Sequence, residues 1–378
     1  RDWSSDVCSS DLTWPGSSAS PSGTAWSTPR RNKPLGKSPH TKGVPFSGFY
    51  SFTIAQPNQS NTMLLTMKPS SVKAKTVVII EDQTAIRTAV EEICKTFTDD
   101  YWLERDREGG FPMDFYRAMA GAGWLGIAMP QEYGGAGLGI QEAAIMVQAI
   151  SESGAGMSGV SAIHMNIFGL NPVVVFGTEE QKRRILPPLI SGKEKACFAV
   201  TEPNTGLNTT QLKTFAKKTA DGYVVNGRKV WISTAQVTEK MLLLARTTPL
   251  EEVKKPTDGL SLFYTNLDRR YVDVKEIEKL GRKAVDSNEL FIDNLPIPQE
   301  DLIGEEGQGF RAILHSMNPE RALAAAGAIG LGRVALKRAA EYAGERIIFD
   351  RPIGKNQGVQ HPLAKCWMEL EAANLMVM

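Results

Sequence analysis

The chain has 378 residues, of which 43 are basic and 42 acidic, and its formal net charge is +1. Hydrophobic residues make up 42% of the chain, enough for a large globular core, and the near-neutral charge argues against a nucleic-acid-binding protein. The sequence contains no run of about 18 apolar residues, so it does not predict a membrane span.

The first 62 residues differ from the rest in composition. They are rich in Ser, Pro and Gly, hold six basic and three acidic residues, and lack helical or strand periodicity. Residues 1–12 resemble a translated DNA-sequencing adapter, and we therefore interpret residues 1–62 as an artefact. The alternatives are an organelle transit peptide, since residues 13–80 contain no acidic side chain, or a disordered leader. Residues 63–378 hold 37 basic and 39 acidic residues.

The next region, residues 63–195, is predicted to be a helical domain. Apolar side chains from Ala85 to Phe97 recur every three or four residues, which predicts a helix over 83–98. Further helices are expected over 112–122 and 140–152, with a glycine-dense loop at 130–139 between them. Thr178 and Gln181 have the spacing of a capping box, which predicts a helix start at Thr178.

From residue 196 to 300 the apolar period changes to two, which predicts a β-domain. The expected strands are separated by turn residues, among them a hairpin signal at Asn226-Gly227. No alternating βαβ pattern is present, so an antiparallel sandwich or barrel is expected. The predicted strands are 197–200, 222–225, 229–233, 241–245, 260–265 and 290–292.

Residues 301–378 return to helical periodicity. Helices are predicted over 310–317, over 322–343 and from about residue 362 onward, so we expect the beginning of a C-terminal helical bundle. The last helix is amphipathic and has no cap, and we therefore expect the sequence to be truncated here. The fold class predicted is α+β: a helical domain, a β-domain and helices again.

Glycine clusters and the cysteines and histidines give no independent functional signal. The cluster at Gly134–Gly139 follows no strand, and Gly327, Gly330 and Gly332 lie in an Ala-rich helix, where small residues favour close helix packing over nucleotide binding. The four cysteines are far apart and the four histidines lack ligand spacing. The sequence therefore predicts neither a disulfide framework nor a metal site.

Six short segments in order resemble the acyl-CoA dehydrogenase family. They begin at Gly126, Gly177, Ala199, Gly222, Gly304 and Glu345 and read GIAMPQEYGG, GTEEQK, AVTEP, GYVVNGRKVWIS, GEEGQGF and ERIIF. Each segment alone is weak, but all six occur in the family's order, and the resemblance extends from about residue 81 to 378. The resemblance implies an N-terminal helical domain, a middle β-domain and a C-terminal helical bundle.

The resemblance also implies an activity. Family members bind FAD and oxidise an acyl-CoA thioester to the trans-2-enoyl-CoA, with a carboxylate removing the α-proton and flavin accepting hydride. Glu320, in the context Asn318-Pro-Glu-Arg, matches one of the two family positions for this base; the other position falls beyond residue 378. The alternative is that Glu320 only caps a helix, which Pro319 would start or kink.

The family positions also imply binding residues. Those expected along the isoalloxazine ring are Phe198, Val200, Thr201, Trp231, Ile232 and Ser233. Those expected at the pyrophosphate and adenylate side, contributed by a neighbouring subunit, are Arg346, Phe349 and Gln357. On the substrate side we expect Gly206, Leu207 and Asn288.

Three departures from the family pattern affect these expectations. Leu207 and Asn208 replace a Ser-Asp pair near the substrate, and Asn288 replaces a basic residue near CoA. Asp350 stands where a glycine is usual.

The expected partners are an acyl-CoA substrate, an electron-transfer flavoprotein as acceptor, and further copies of the chain in a homodimer or homotetramer. We expect a cytoplasmic, bacterial protein, or a mitochondrial one if the leader is real. The competing hypotheses are an acyl-CoA oxidase or enoyl-CoA reductase of the same fold, and a non-catalytic or inactive flavoprotein.

Overall fold

The computed structural model describes residues 83–378. The interpretation of residues 1–62 lies outside this range. The described residues follow the predicted order of helices, strands and helices, which confirms the fold class.

The first helical region packs around a core of large apolar side chains. Its helices are α1 (Gln83–Cys94), α2 (Asp99–Glu108), α3 (Met113–Gly121), α4 (Ile140–Ile150), α5 (Gly156–Ile163), α6 (Met165–Phe168), α7 (Asn171–Phe176) and α8 (Glu179–Ile190). The predicted helix over 83–98 ends at Cys94, and α2 is an element that the apolar periodicity did not indicate, because Trp102 is its only buried residue.

The predicted capping box at the start of α8 is confirmed. The Thr178 hydroxyl accepts a hydrogen bond from the Gln181 N–H at 3.2 Å, and the Gln181 carboxamide accepts one from the Thr178 N–H at 2.9 Å. The Gln181 side-chain amide also donates to the carbonyls of Glu300 and Leu302, at 2.8 Å each, and so ties α8 to the end of the β-domain.

One large sheet forms the middle of the molecule. Its strands are β1 (Ala196–Ala199), β2 (Phe215–Lys218), β3 (Gly222–Ser233), β4 (Lys240–Arg246), β5 (Leu260–Asn266), β6 (Val272–Glu276), β7 (Ser287–Pro298) and β8 (Leu302–Ile303). The strand order is β6-β7-β3-β2-β4-β5-β8, and β1 pairs with β4. Two pairings, β1 with β4 and β2 with β4, are parallel, whereas the sequence predicted an antiparallel arrangement throughout.

The predicted hairpin at Asn226-Gly227 is wrong. β3 runs without interruption from Gly222 to Ser233 and pairs with β7 along this length, with a register shift between Val225 and Gly227. A Cβ atom on Gly227 would lie 2.4 Å from the Thr214 hydroxyl, so this glycine serves close packing. The Asn226 side chain bonds to Asn294 on β7 and accepts its N–H at 2.9 Å.

The last region consists of two long helices joined by a small hairpin. They are α9 (Gly309–Glu345) and α10 (Gln357–Val377), with β9 (Ile347–Ile348) and β10 (Arg351–Pro352) between them. The two helices predicted over 310–317 and 322–343 are therefore one helix, and Pro319 lies inside it.

Close packing of α9 on α4 confirms the interpretation of its glycines. A Cβ atom on Gly330 would lie 2.4 Å from the Gln148 carbonyl oxygen, and the Ser151 hydroxyl donates to the Gly327 carbonyl at 2.7 Å. The small residues thus let the two helix backbones approach each other.

Two hydrophobic clusters meet at the sheet. Leu242 and Leu244 of β4 face the helical cluster, whereas Met241 and Leu243 face the opposite cluster. Within the described part of the chain, Ile140–Phe176 is long and apolar enough to cross a membrane, unlike the sequence expectation, and its most apolar 18-residue window has a mean hydropathy of 1.4. Since 72% of its most apolar window is buried, packing in the core accounts for this composition.

Candidate active site

The end of β1 brings the first group of predicted residues together. Val200 is buried, and Phe198 packs edge to face against Phe168 of α6 with ring centroids 5.3 Å apart. The Thr201 carbonyl accepts a hydrogen bond from the Val230 N–H at 3.0 Å. This bond places the chain leaving β1 directly beside β3.

An irregularity in β3 presents the second group at the same edge. The register with β7 shifts between Lys229 and Ile232, and Trp231 adopts a φ of 62°. A positive φ is rare for a tryptophan and marks local strain. The indole consequently turns outward and is 61% exposed, while Ile232 beside it is buried. Ser233 follows, half-buried.

A buried ion pair that we did not predict lies beneath this edge. Lys229 has no exposed surface, and its ammonium donates to the Glu202 carboxylate at 3.0 Å and to the carbonyls of Val200 at 2.9 Å and Leu244 at 2.7 Å. Burial lowers the pKa of Lys229 to about 8, although Glu202 opposes this shift. Strand periodicity did not predict that Lys229 is buried. The register shift that begins at Lys229 breaks the alternation of β3, and Lys229 and its neighbour Val230 are both buried.

The Glu202 carboxylate also anchors the loop that carries Gly206 and Leu207. It accepts hydrogen bonds from the N–H groups of Lys213 at 2.7 Å and Thr214 at 2.9 Å. Burial raises the pKa of Glu202, but Lys229 and these donors outweigh it and hold that pKa below its usual value. Leu207 at the tip of this loop is fully exposed.

Glu320 lies about a third of the way along α9. One turn earlier, the buried Ser316 hydroxyl donates to the carbonyl of Gly169, the residue that follows Phe168, at 3.5 Å. Residues four apart share a helix face, so Glu320 lies on the side of α9 that faces α6 and, beyond it, Phe198. Burial raises the pKa of Glu320, and the neighbouring Arg321 opposes the shift.

Asn288 differs from its expected role in substrate binding. It has no exposed surface, and its amide donates to the Ile232 carbonyl at 2.9 Å and to Asp286. Its side-chain oxygen accepts from the Gln236 amide at 2.8 Å. A side chain enclosed in this way holds β3 against β7 and offers no surface to CoA in this conformation.

The remaining predicted residues lie at the far end of α9. Arg346 follows the last residue of this helix, and 26 residues separate it from Glu320, about 40 Å at 1.5 Å per residue. Phe349 is 93% exposed, and Gln357 begins α10. The structure therefore does not bring Arg346, Phe349 and Gln357 into the site at the end of β1.

The turn of the hairpin between β9 and β10 is strained. Phe349 and Asp350 have φ values of 50° and 61°, as both central residues of a type I′ turn do. A glycine is free of the steric cost of this conformation, which explains physically why one is usual where this chain has Asp350.

The residues at the end of β1 suit a flat aromatic cofactor. Among residues 83–378, none accepts a hydrogen bond from the Thr201 N–H, so this donor is available beside the exposed Trp231. The half-buried Phe198 supplies apolar surface beside it, and the buried Val200 and Ile232 pack beneath this edge. An apolar cavity of about 660 Å³ lies elsewhere, between α1, α3 and α8, and contains none of the predicted residues.

Comparison with known proteins places the chain among acyl-CoA dehydrogenases. Three family models match in order: the acyl-CoA dehydrogenase N-terminal domain at residues 80–193, the middle domain at 197–295 and the C-terminal domain at 307–378. The acyl-CoA dehydrogenase FadE12 of Mycobacterium tuberculosis is 30% identical over 307 residues, which cover 78% of this chain and 75% of that protein.

Solved structures agree with the sequence comparison. The glutaryl-coenzyme A dehydrogenase in complex with glutaryl-CoA is 29% identical, with a TM-score of 0.74, and the match covers 79% of this chain and 76% of that one. A chain from the structure of the electron transferring flavoprotein of Acidaminococcus fermentans is 29% identical with a TM-score of 0.72, covering 80% and 78%.

Proposed function

The chain belongs to the acyl-CoA dehydrogenase family, whose members act on CH–CH groups with FAD, and from that membership we propose that it oxidises an acyl-CoA thioester to the trans-2-enoyl-CoA with Glu320 as the base.

Glu320 is the residue that we propose takes the α-proton. A thioester α-proton is weakly acidic, so a carboxylate base works best when its pKa is raised toward the working pH. Glu320 is half-buried on the face of α9 that Ser316 holds against Gly169, and this placement carries the proposal. Burial also raises the pKa of Glu320. After the transfer, the proton resides on a carboxylate oxygen of Glu320.

The residues at the end of β1 are proposed to hold FAD, which when bound supplies the acceptor for hydride from the β-carbon. Val200 and Ile232, both buried, would exclude water from the reacting carbons. Trp231 would cover the ring with its exposed indole, and the Thr201 N–H would donate a hydrogen bond to it. The hydroxyl of Ser233 adds a second polar group at this edge.

A second copy of the chain is proposed to complete the FAD site. Arg346 lies about 40 Å from Glu320 along α9, so one chain cannot direct both residues at the same flavin ring and nearby phosphates. Arg346 is exposed, and no acidic side chain among residues 83–378 pairs with it. A free guanidinium suits a phosphate, and Phe349 and Gln357 would accompany it in a homodimer or homotetramer.

The proposed electron acceptor is an electron-transferring flavoprotein. The similarity to a chain in such a flavoprotein structure supports this proposal. Oxygen as the acceptor would instead define an oxidase, and rapid reduction of the enoyl-CoA would define a reductase. Assays with each acceptor, run on the same FAD-loaded protein, distinguish the three.

Replacing Glu320 tests the proposed reaction. We expect Glu320→Gln to lower the rate of acyl-CoA oxidation by about 100- to 10,000-fold, because the amide cannot accept the α-proton. The absorbance spectrum of bound FAD should remain. Reduction of the flavin by a panel of acyl-CoA thioesters, followed in a stopped-flow spectrophotometer, measures the rate.

The matched control is Glu341→Gln, which removes another carboxylate from α9, in this case an exposed one. This variant should reduce its flavin at the wild-type rate. Wild-type turnover by an FAD-loaded Glu320→Gln protein would rule out Glu320 as the base.

A further inference from the structure

Lys229 is a buried cation whose contacts extend to the candidate flavin site. Its three donor contacts are the Val200 carbonyl at 2.9 Å, the Leu244 carbonyl at 2.7 Å and the Glu202 carboxylate at 3.0 Å. An ammonium has three N–H groups, so all of them are used. The group is therefore held in one orientation.

The contact of Lys229 with the Val200 carbonyl affects the candidate flavin site through the peptide group between Val200 and Thr201. The same peptide carries the N–H of Thr201, for which the described residues offer no acceptor. A charged donor at the carbonyl oxygen polarises the peptide and makes its N–H a stronger donor. Lys229 thus strengthens the Thr201 N–H as a donor although it does not contact that group.

Stability alone is a poor explanation for this arrangement. A buried ion pair costs desolvation of both charges, and well-packed apolar side chains of similar volume are often as stabilising. Glu202 is independently anchored by the N–H groups of Lys213 and Thr214, so the loop does not depend on Lys229 alone for its attachment.

We propose that Lys229 is a positioning residue that, through the Val200–Thr201 peptide, strengthens the hydrogen bond from the Thr201 N–H to the ring of bound FAD and so favours the reduced flavin. Reduction increases the electron density of the ring, and a stronger donor therefore stabilises the reduced form more than the oxidised one. This inference rests on the proposed function, because it takes FAD as the ligand.

The test compares the midpoint potential of bound FAD in the full-length protein and in two variants. Lys229→Met removes the cation, and the double variant Lys229→Met/Glu202→Gln removes both charges, so that no carboxylate is left buried alone. In each we expect a lower potential, equivalent to a loss of about tenfold in the preference for reduced over oxidised FAD. Dye-equilibration titrations measure the potential, and titration of the apoprotein with each form of FAD measures the preference independently.

Lys218→Met is the matched control. It removes an exposed ammonium of the neighbouring strand β2, which pairs with Glu306 at 2.6 Å and does not contact the Val200–Thr201 peptide. Its FAD potential should equal that of the wild type, which separates the effect of Lys229 from a change in net charge.

Each other outcome decides against the inference. An unchanged potential in a folded variant, even one with a lower melting temperature, gives Lys229 a structural role only. If neither Lys229→Met nor the double variant folds, Lys229 likewise has a structural role only. A wild-type protein that binds no FAD or oxidises no acyl-CoA would instead overturn the proposed function.

Discussion

His164, at the junction of α5 and α6, contributes a neutral imidazole to the surroundings of the candidate site. Its ring lies 4.9 Å from Phe168, which in turn packs on Phe198, and its Nδ1 lies 3.3 Å from the Ser161 carbonyl oxygen. Burial lowers the pKa of His164 to about 4, and the nearby Arg282 adds to the shift. The imidazole is therefore uncharged at neutral pH.

The pKa of His164 predicts a loss of stability in acid. The unfolded chain binds a proton at this histidine near pH 6.5, whereas the folded chain does so only near pH 4. Folding stability is thus complete above pH 6.5 and falls by at most about 3 kcal/mol as the pH decreases to 4. Replacing His164 with Gln should remove this part of the pH dependence, as measured by urea unfolding at pH 7 and pH 4.5.

His361→Gln provides the control, because His361 is exposed on α10. It should leave the difference in stability between the two pH values unchanged. An equal acid loss in wild type and His164→Gln would contradict the prediction.

At the scale of elements, α9 continues through Pro319 because another helix satisfies the group that the proline leaves unpaired. Proline lacks the N–H that would bond the His315 carbonyl one turn earlier. The Asn171 side chain, at the start of α7, donates to this carbonyl at 2.8 Å. Tertiary contact thus replaces the missing helical hydrogen bond just before Glu320.

This replacement predicts coupling between Asn171 and Pro319. Asn171→Ala should lower the free energy of unfolding by about 1 kcal/mol, because the His315 carbonyl loses its donor. In a Pro319→Ala background the helix supplies its own N–H, and the same change should cost close to nothing. A double-mutant cycle from urea unfolding measures the coupling. Equal costs in the two backgrounds would show that the hydrogen bond does not stabilise α9.

At the scale of the whole molecule, one buried amide joins four helices. The Gln148 side-chain oxygen, on α4, accepts hydrogen bonds from Arg87 of α1 at 2.8 Å and Arg333 of α9 at 3.0 Å. Its amide donates to Asn374 of α10 at 2.8 Å. No residue of α10 is buried, so this polar contact and the ion pair of Arg333 with Glu371, at 2.8 Å, matter for its attachment.

We therefore expect Gln148→Leu to loosen α10 as well as to destabilise the protein. The change removes one of the acceptors of each guanidinium, while Arg87 keeps Glu152 and Arg333 keeps Glu371, and it leaves the Asn374 oxygen without its donor. We expect a cost of about 2 kcal/mol. Hydrogen exchange in α10 should become faster than in the sheet. Gln148→Glu keeps an acceptor for both arginines, and the Asn374 side chain can turn its amide N–H toward the new carboxylate, so this variant should retain most of the protection. Unchanged exchange in α10 of Gln148→Leu would contradict this role.

Much of the fold could be predicted because its signals are local. The stripe from Ala85 to Phe97, the period of two after residue 196 and the Thr178–Gln181 capping box each depend on neighbours within one or two turns. The ordered motifs then indicated the family, and from the family pattern we predicted Glu320 as the base. Burial of individual side chains inside one element follows from such patterns.

The tertiary structure decided which distant groups meet. Asn226-Gly227 has the residues of a hairpin, but pairing with β7 and packing on Thr214 extend the strand through it. The contact of Lys229 with Val200 likewise depends on how the strands pack. The separation of Arg346 from Glu320 depends on α9 continuing through Pro319, where Asn171 of another helix satisfies the His315 carbonyl. The physical reason is that a hydrophobic period specifies which face of an element is buried, whereas the partner of that face is set by contacts between residues far apart in the chain.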